Sequence, residues 1–240
     1  MGTEWLVGLG WVVLAGFTRG FAGFGSALIL VPTLSLLFPP QSVVVAVILL
    51  EITAGAGLLP EALKKTQWRE VLPLVLSAVL MVPLGAHFFT LLEPILMRQI
   101  IGGLIFAFVL LLLLAGKRRF PAMPLPCTLG VGAISGMLTG LGGIGGPPVV
   151  LYKMSGDNPA DANRANFIVF FALTQGMALI SFWLSGIITA PVWQLFAKFV
   201  PALIIGLLLG RFCFKRVNER LFRRFVLGLL LGISTVALLT

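Results

Sequence analysis

Polar chemistry is scarce in this chain. One histidine, one tyrosine, two cysteines and eight acidic residues are all that 240 positions contain. No HExxH helix, no cluster of Cys and His, no GxSxG turn and no pair of acids within one segment can be found. The constellations that run hydrolytic or metal-assisted chemistry are therefore missing, an enzyme is not expected, and neither is a cofactor or a metal. Cys127 and Cys213 lie in separate segments without metal-type spacing, which argues against both a disulfide and a zinc site. The opening MGTEWLVGLGW has no basic flank and no small-residue cleavage site, so no removable signal peptide is expected. Leu6 stands where a myristoylation signal needs Ser or Thr. Charge is scarce too: 10% charged against 59% hydrophobic residues, with a mean hydropathy of +1.09, excludes a water-facing surface. The net charge of +9 would suit nucleic acid, but the basic residues sit in short clusters between apolar runs, where they orient a membrane protein. The expected surroundings are the lipid bilayer, with no nucleic-acid partner.

What is present in quantity is apolar sequence, in runs suited to crossing about 30 Å of hydrocarbon, which takes roughly 20 residues. The runs are 5–38, 42–59, 71–92, 95–115, 126–154, 165–184, 191–210 and 221–239. The first and fifth are too long for one straight span, and each carries a glycine cluster at its middle. They match each other. GFTRGFAGFGSALILVP at 16–32 aligns without gaps on GMLTGLGGIGGPPVVLY at 136–152, so that Gly16, Gly20, Gly23 and Gly25 fall on Gly136, Gly140, Gly143 and Gly145, a displacement of 120. At a displacement of 125, Gly85, Leu96, Arg98 and Gly103 fall on Gly210, Leu221, Arg223 and Gly228. The chain thus reads as two repeats, 1–119 and 120–240, a plan common among transporters.

The distribution of Lys and Arg decides how the glycine-broken runs meet the membrane. If they cross it, the loop charges divide six against nine. If each enters and returns, fourteen fall on one side and only Arg98 on the other. The second arrangement is expected: an all-α polytopic membrane protein of two inverted repeats, each a re-entrant helical hairpin with a glycine tip (5–38 and 126–154) followed by three transmembrane helices. Both termini then lie on the non-cytoplasmic side of a bacterial-type inner membrane. Hairpin arms of about 12 to 14 residues, or about 18 to 21 Å, would carry both tips to the midplane, where they should meet. Non-helical backbone at that depth is tolerated only when buried in protein or lining a polar cavity.

Such tips favour anions. Glycine admits φ > 0 and close backbone approach, and the helix leaving each tip presents N–H groups and a partial positive charge. The candidate binding residues are Arg19, Gly20, Gly23, Phe24, Gly25 and Ser26 in the first repeat, and Gly140, Gly142, Gly143, Gly145 and Gly146 in the second. Ser26 offers a hydroxyl, and Pro147 and Pro148 suit a first helical turn. The competing use of these glycines is close helix packing. Glu51, near the middle of its run, either carries a proton that couples transport or neutralises Arg19. Phe21, Gln175 and Lys198 are further candidates for a cavity wall. Gln175 could equally bond a neighbouring helix, Lys198 could snorkel outward and His87 could be interfacial.

The two motifs GFGSALILVP and TGLGGIGGPPVVLY resemble those of the TauE/SafE family of membrane permeases, with LLEI at 49–52 and NRANFIVFF at 163–171 as weaker points of likeness. The second departs from the RATL expected after Arg164. The resemblance extends over essentially the whole chain. It implies export or uptake of sulfite, taurine-like sulfonates, sulfoacetate and related small anions. The expected function is a secondary transporter, an exporter by family association, working by alternating access and holding a sulfite- or sulfonate-class anion. Protons are the candidate coupling ion, and a homo-oligomer is compatible with this class. The rival readings are an anion channel and a membrane scaffold or accessory protein without transport activity.

Overall fold

A computed structural model describes residues 2–22, 25–115, 124–154 and 160–213, together with 228, 230–232 and 235–236. Among them the secondary structure is helical, with no strand. Up to Cys213 the helices among the described residues are, in order, α1 (Thr3–Ala22), α2 (Ser26–Ser35), α3 (Pro40–Ala56), α4 (Leu59–Lys65), α5 (Trp68–Leu91), α6 (Pro94–Ala115), α7 (Leu125–Gly142), α8 (Gly146–Met154), α9 (Ala160–Leu184) and α10 (Ala190–Cys213). The expected run 221–239 falls largely outside the described residues. Five of the helices, α5, α6, α7, α9 and α10, are long and apolar enough to cross a membrane, and α3 with α4, bent by 68°, could make a sixth span. Their outer faces are apolar: Leu80, Trp183, Leu184 and Leu208 are all at least 60% exposed, as lipid-facing side chains would be.

The chain forms two compact units. The first comprises Met1–Ala54, Leu92–Leu111 and Ile188–Thr240, the second Gly55–Leu91 and Leu112–Ile187, so each draws helices from both sequence halves. In the first unit α3 is the core. Its run from Val43 to Leu50 is buried on every side, as expected of a helix that is apolar all round, and that burial overrides the weak helix preference of so many β-branched residues. All ten residues of α2 are buried as well, Pro32 among them. α1 runs beside α2 in the opposite direction. The rings of Trp5 and Phe38 meet at a tilt with centroids 4.7 Å apart, a Cβ on Gly8 would stand 3.4 Å from Leu34, and one on Gly25 would stand 3.9 Å from Thr18. The other side of α1 packs on α10 with the backbones in contact: a Cβ on Gly16 would stand 2.6 Å from the Leu203 carbonyl oxygen, and one on Gly20 would overlap that of Leu207.

The second unit contains the same crossing. A Cβ on Gly136 would overlap the carbonyl of Ala78, and one on Gly140 that of Val82, so α7 lies backbone to backbone on α5. α8 returns along α7, tied by a 2.7 Å hydrogen bond between the hydroxyls of Thr128 and Tyr152 and by the Ser135 hydroxyl donating to the Gly145 carbonyl. α4, a short helix not foreseen from the sequence, packs Ala62 against Ala165, Ile168 and Val169 of α9. The amide of Gln67 donates to Asn166 Oδ1 of α9 at 2.9 Å. Hydroxyls within the apolar helices are satisfied locally, as where Thr18, Thr53 and Thr174 donate to carbonyls four residues back.

The arms differ from expectation in length. α1 and α7 have 20 and 18 residues, or about 30 and 27 Å, whereas α2 and α8 have 10 and 9. The reason is that Gly16, Gly20, Gly136 and Gly140 do not interrupt their helices; they let another helix approach. Chain reversal waits for Gly25 at φ 96° and Gly143 at φ 69°, a conformation that side chains with a Cβ seldom adopt. Gly140→Leu is expected to lower the thermal unfolding midpoint of the purified protein, at a cost on the order of 3 kcal/mol. Gly176→Ala, which meets nothing within 4 Å, should shift stability by less than about 1 kcal/mol, and thermal unfolding followed by tryptophan fluorescence compares the two.

Candidate functional site

The first glycine break lies inside the first unit and gathers the buried charge. Gly25 caps α2 in the left-handed region, with no side-chain cap, and Ser26 follows as the first helical residue. The opening N–H groups of a helix have no acceptor within it, so this end attracts an anion. A carboxylate stands there. Glu51 of α3 accepts the Ser26 hydroxyl on Oε1 and Nη1 of Arg19 on Oε2, while Nη2 of Arg19 reaches the Glu51 backbone carbonyl at 3.3 Å. Arg19 is 5% exposed, Glu51 3% and Ser26 not at all. Three helices thus converge on one buried guanidinium, one carboxylate and one hydroxyl. The Nε of Arg19 is buried without a partner. Of the two roles weighed for Glu51, this arrangement supplies the charge neutralisation directly.

The second break is built from hydroxyls and backbone. The Gly143 amide closes α7 on the Thr139 carbonyl at 2.8 Å, and the Thr139 hydroxyl donates to the Ser135 carbonyl at 2.9 Å. Gly142 ends α7, Gly145 is held by Ser135, and Gly146 opens α8 beside the ring of Phe171. Pro147 and Pro148 occupy the next two positions of α8. They suit a first turn but remove two of its N–H groups, so this helix end has fewer donors than that of α2.

The remaining candidates are placed as follows. Gly20 and Gly140 sit at the helix crossings. Gln175 is buried on α9. Lys198 is exposed, with its Nζ 3.8 Å from the ring centroid of Trp5. Trp5 and Arg19 are fourteen positions apart on α1, about 21 Å, so Lys198 is not brought to the first break. Gly23, Phe24 and the side chain of Phe21 lie outside the described residues. His87 is exposed beside Phe88. Sequence reasoning missed Ser135 and Thr139, whose spacing of four ahead of the glycine cluster was the available signal. It also missed Asn166, whose partner Gln67 lies 99 positions away. Among the described residues no group of three His, Cys, Asp or Glu could hold a metal.

The family model described as Sulfite exporter TauE/SafE matches residues 8–237. This chain belongs to the TauE/SafE family. A curated member from Cupriavidus necator, "Probable sulfite/organosulfonate exporter TauE", is 29% identical over 253 residues, covering 98% of this chain and 94% of that one. No solved structure matches. Family membership and the apolar helices together make the chain an integral membrane protein. In this TauE/SafE protein, Arg19→Ala is expected to leave Glu51 buried and unpaired at a cost of about 3–5 kcal/mol. Arg19→Ala combined with Glu51→Ala should recover a large part of that loss, and thermal unfolding of the wild type, both single variants and the double variant measures the coupling.

Proposed function

We propose that this protein is a secondary transporter that exports a small sulfur-containing anion, sulfite or an organosulfonate, by alternating access of two inverted repeats. The observation that carries the reading is the Arg19 and Ser26 pair at the start of α2: a buried cation and a hydroxyl already engaged by an anionic oxygen pair beside a helix N-terminus. A sulfonate presents the same kind of oxygens to donors of the same kind. The family match and the name of the Cupriavidus relative support the sulfur-anion class. The repeat reading draws support from contacts within each unit: Gly16 faces Leu203 and Gly136 faces Ala78, while Gly20 faces Leu207 and Gly140 faces Val82. Those pairs are related by the same displacements, 120 and 125, that relate the sequences. The re-entrant placement of both hairpins and the outward position of both termini rest on the basic residues of the loops.

Protein in liposomes is expected to show saturable uptake and counterflow of radiolabelled sulfite or isethionate. Unitary currents of high conductance would contradict a transporter. Arg19→Lys keeps the charge beside Glu51 but loses the planar fork, and should weaken transport at least about tenfold. Transport unchanged in this variant would remove Arg19 from the site.

A further inference from the structure

Resting on the anion-transport reading of this site, we infer that the Glu51 carboxylate occupies the place of the transported anion, and that a proton on Glu51 is what admits it. The donors that would hold a guest are already committed. Arg19 Nη1 and the Ser26 hydroxyl go to the two carboxylate oxygens of Glu51, and Arg19 Nη2 goes to its backbone carbonyl, leaving Nε. All three side chains are at least 95% buried, so water cannot stand in for a lost partner. Among the described residues Arg19 is the one cation in ion-pair range of Glu51. Glu4 on α1, Glu93 beside α6, Arg98 on α6, and Lys198 and Arg211 on α10 make no ion pair with it.

A second anion beside an ionised Glu51 would leave one uncompensated negative charge in an apolar interior, which is prohibitively costly. With a proton on Glu51 the charges close: carboxylate, guanidinium, proton and monoanion become carboxylic acid and a guanidinium–anion pair. The site is neutral before and after. The neutral acid becomes a donor as well, able to hand a hydrogen bond to a guest oxygen. A dianion would again carry one charge too many. The substrate class is therefore narrowed to singly charged oxyanions, a sulfonate or hydrogensulfite, bound with one proton each.

Calorimetric titration of isethionate into the purified protein tests this directly, because a sulfonate stays a monoanion throughout the range from about pH 5 to pH 8. Where Glu51 is ionised in the free protein, affinity should fall about tenfold per pH unit as pH rises. Paired titrations in buffers of different ionisation enthalpy should show uptake of one proton per anion. Glu51→Gln should bind with no pH dependence and without proton uptake, and sulfate, a dianion, should bind at least about tenfold more weakly to the wild type. If the wild type binds isethionate with constant affinity and no proton uptake, the inference is overturned while the anion site stands. If Glu51→Gln keeps the wild-type slope, Glu51 is not the proton acceptor. If no sulfonate or sulfite binds at any pH, the anion reading itself fails. Should Glu51→Gln not fold, proton uptake by the wild type decides alone.

Discussion

A guanidinium and a carboxylate buried together in an almost uncharged interior set the terms for the first compact unit. Neither charge can be there alone. Arg19 requires Glu51, Glu51 requires both Arg19 and Ser26, and the three sit on α1, α3 and the first residue of α2. The ion pair thus fixes how those helices approach one another. A pair of this kind adds little net stability over apolar side chains that fill the same space, so its presence in such a chain argues for a use beyond folding. The use proposed above is anion binding at the helix end beside it. A hydroxyl and a guanidinium converge on oxygen atoms that are now Glu51's own, beside the first turn of α2.

The glycines make this convergence possible by two different physical routes. At Gly16 and Gly20 the absence of Cβ lets α10 lie against α1, and at Gly136 and Gly140 it lets α5 lie against α7. At Gly25 and Gly143 the same absence permits a left-handed backbone and reversal of the chain. The two breaks then differ in chemistry. The first carries charge and three consecutive residues able to offer N–H groups; the second has Ser135, Thr139 and two prolines that offer none. The buried charge, and with it the proposed anion site, is concentrated around α2.

Much of this was legible in the sequence because the membrane simplifies the reading. Apolar runs locate α3, α5, α6, α9 and α10 to within a few residues, and the doubled glycine pattern marks both interruptions. Arg19, Ser26 and Glu51 could be picked out since so few polar groups occur in apolar runs. Their mutual contact could not, because it depends on how α1, α2 and α3 are packed. The glycines were ambiguous for a physical reason: conformational freedom and close packing both demand the same residue. That is why Gly20 and Gly140 were expected at the tips and are found at crossings, and why α1 and α7 are longer, and α2 and α8 shorter, than the arms expected. α4 was hidden in a polar connection containing Pro60, Glu61, Lys64 and Lys65, where only packing on α9 reveals a helix. Gln67 and Asn166 were too far apart in the chain to be linked by inspection.

The central claim is that the donors now held by Glu51 are the donors of the transported anion. An experimental structure of the protein with 2-bromoethanesulfonate, bound at acid pH and located by the anomalous signal of bromine, tests it most directly. The account predicts the sulfonate in hydrogen-bonding range of Arg19 and Ser26 at the start of α2, with the Glu51 carboxyl displaced from both oxygen positions. A bromine signal elsewhere, with Arg19 still paired to Glu51, would contradict it.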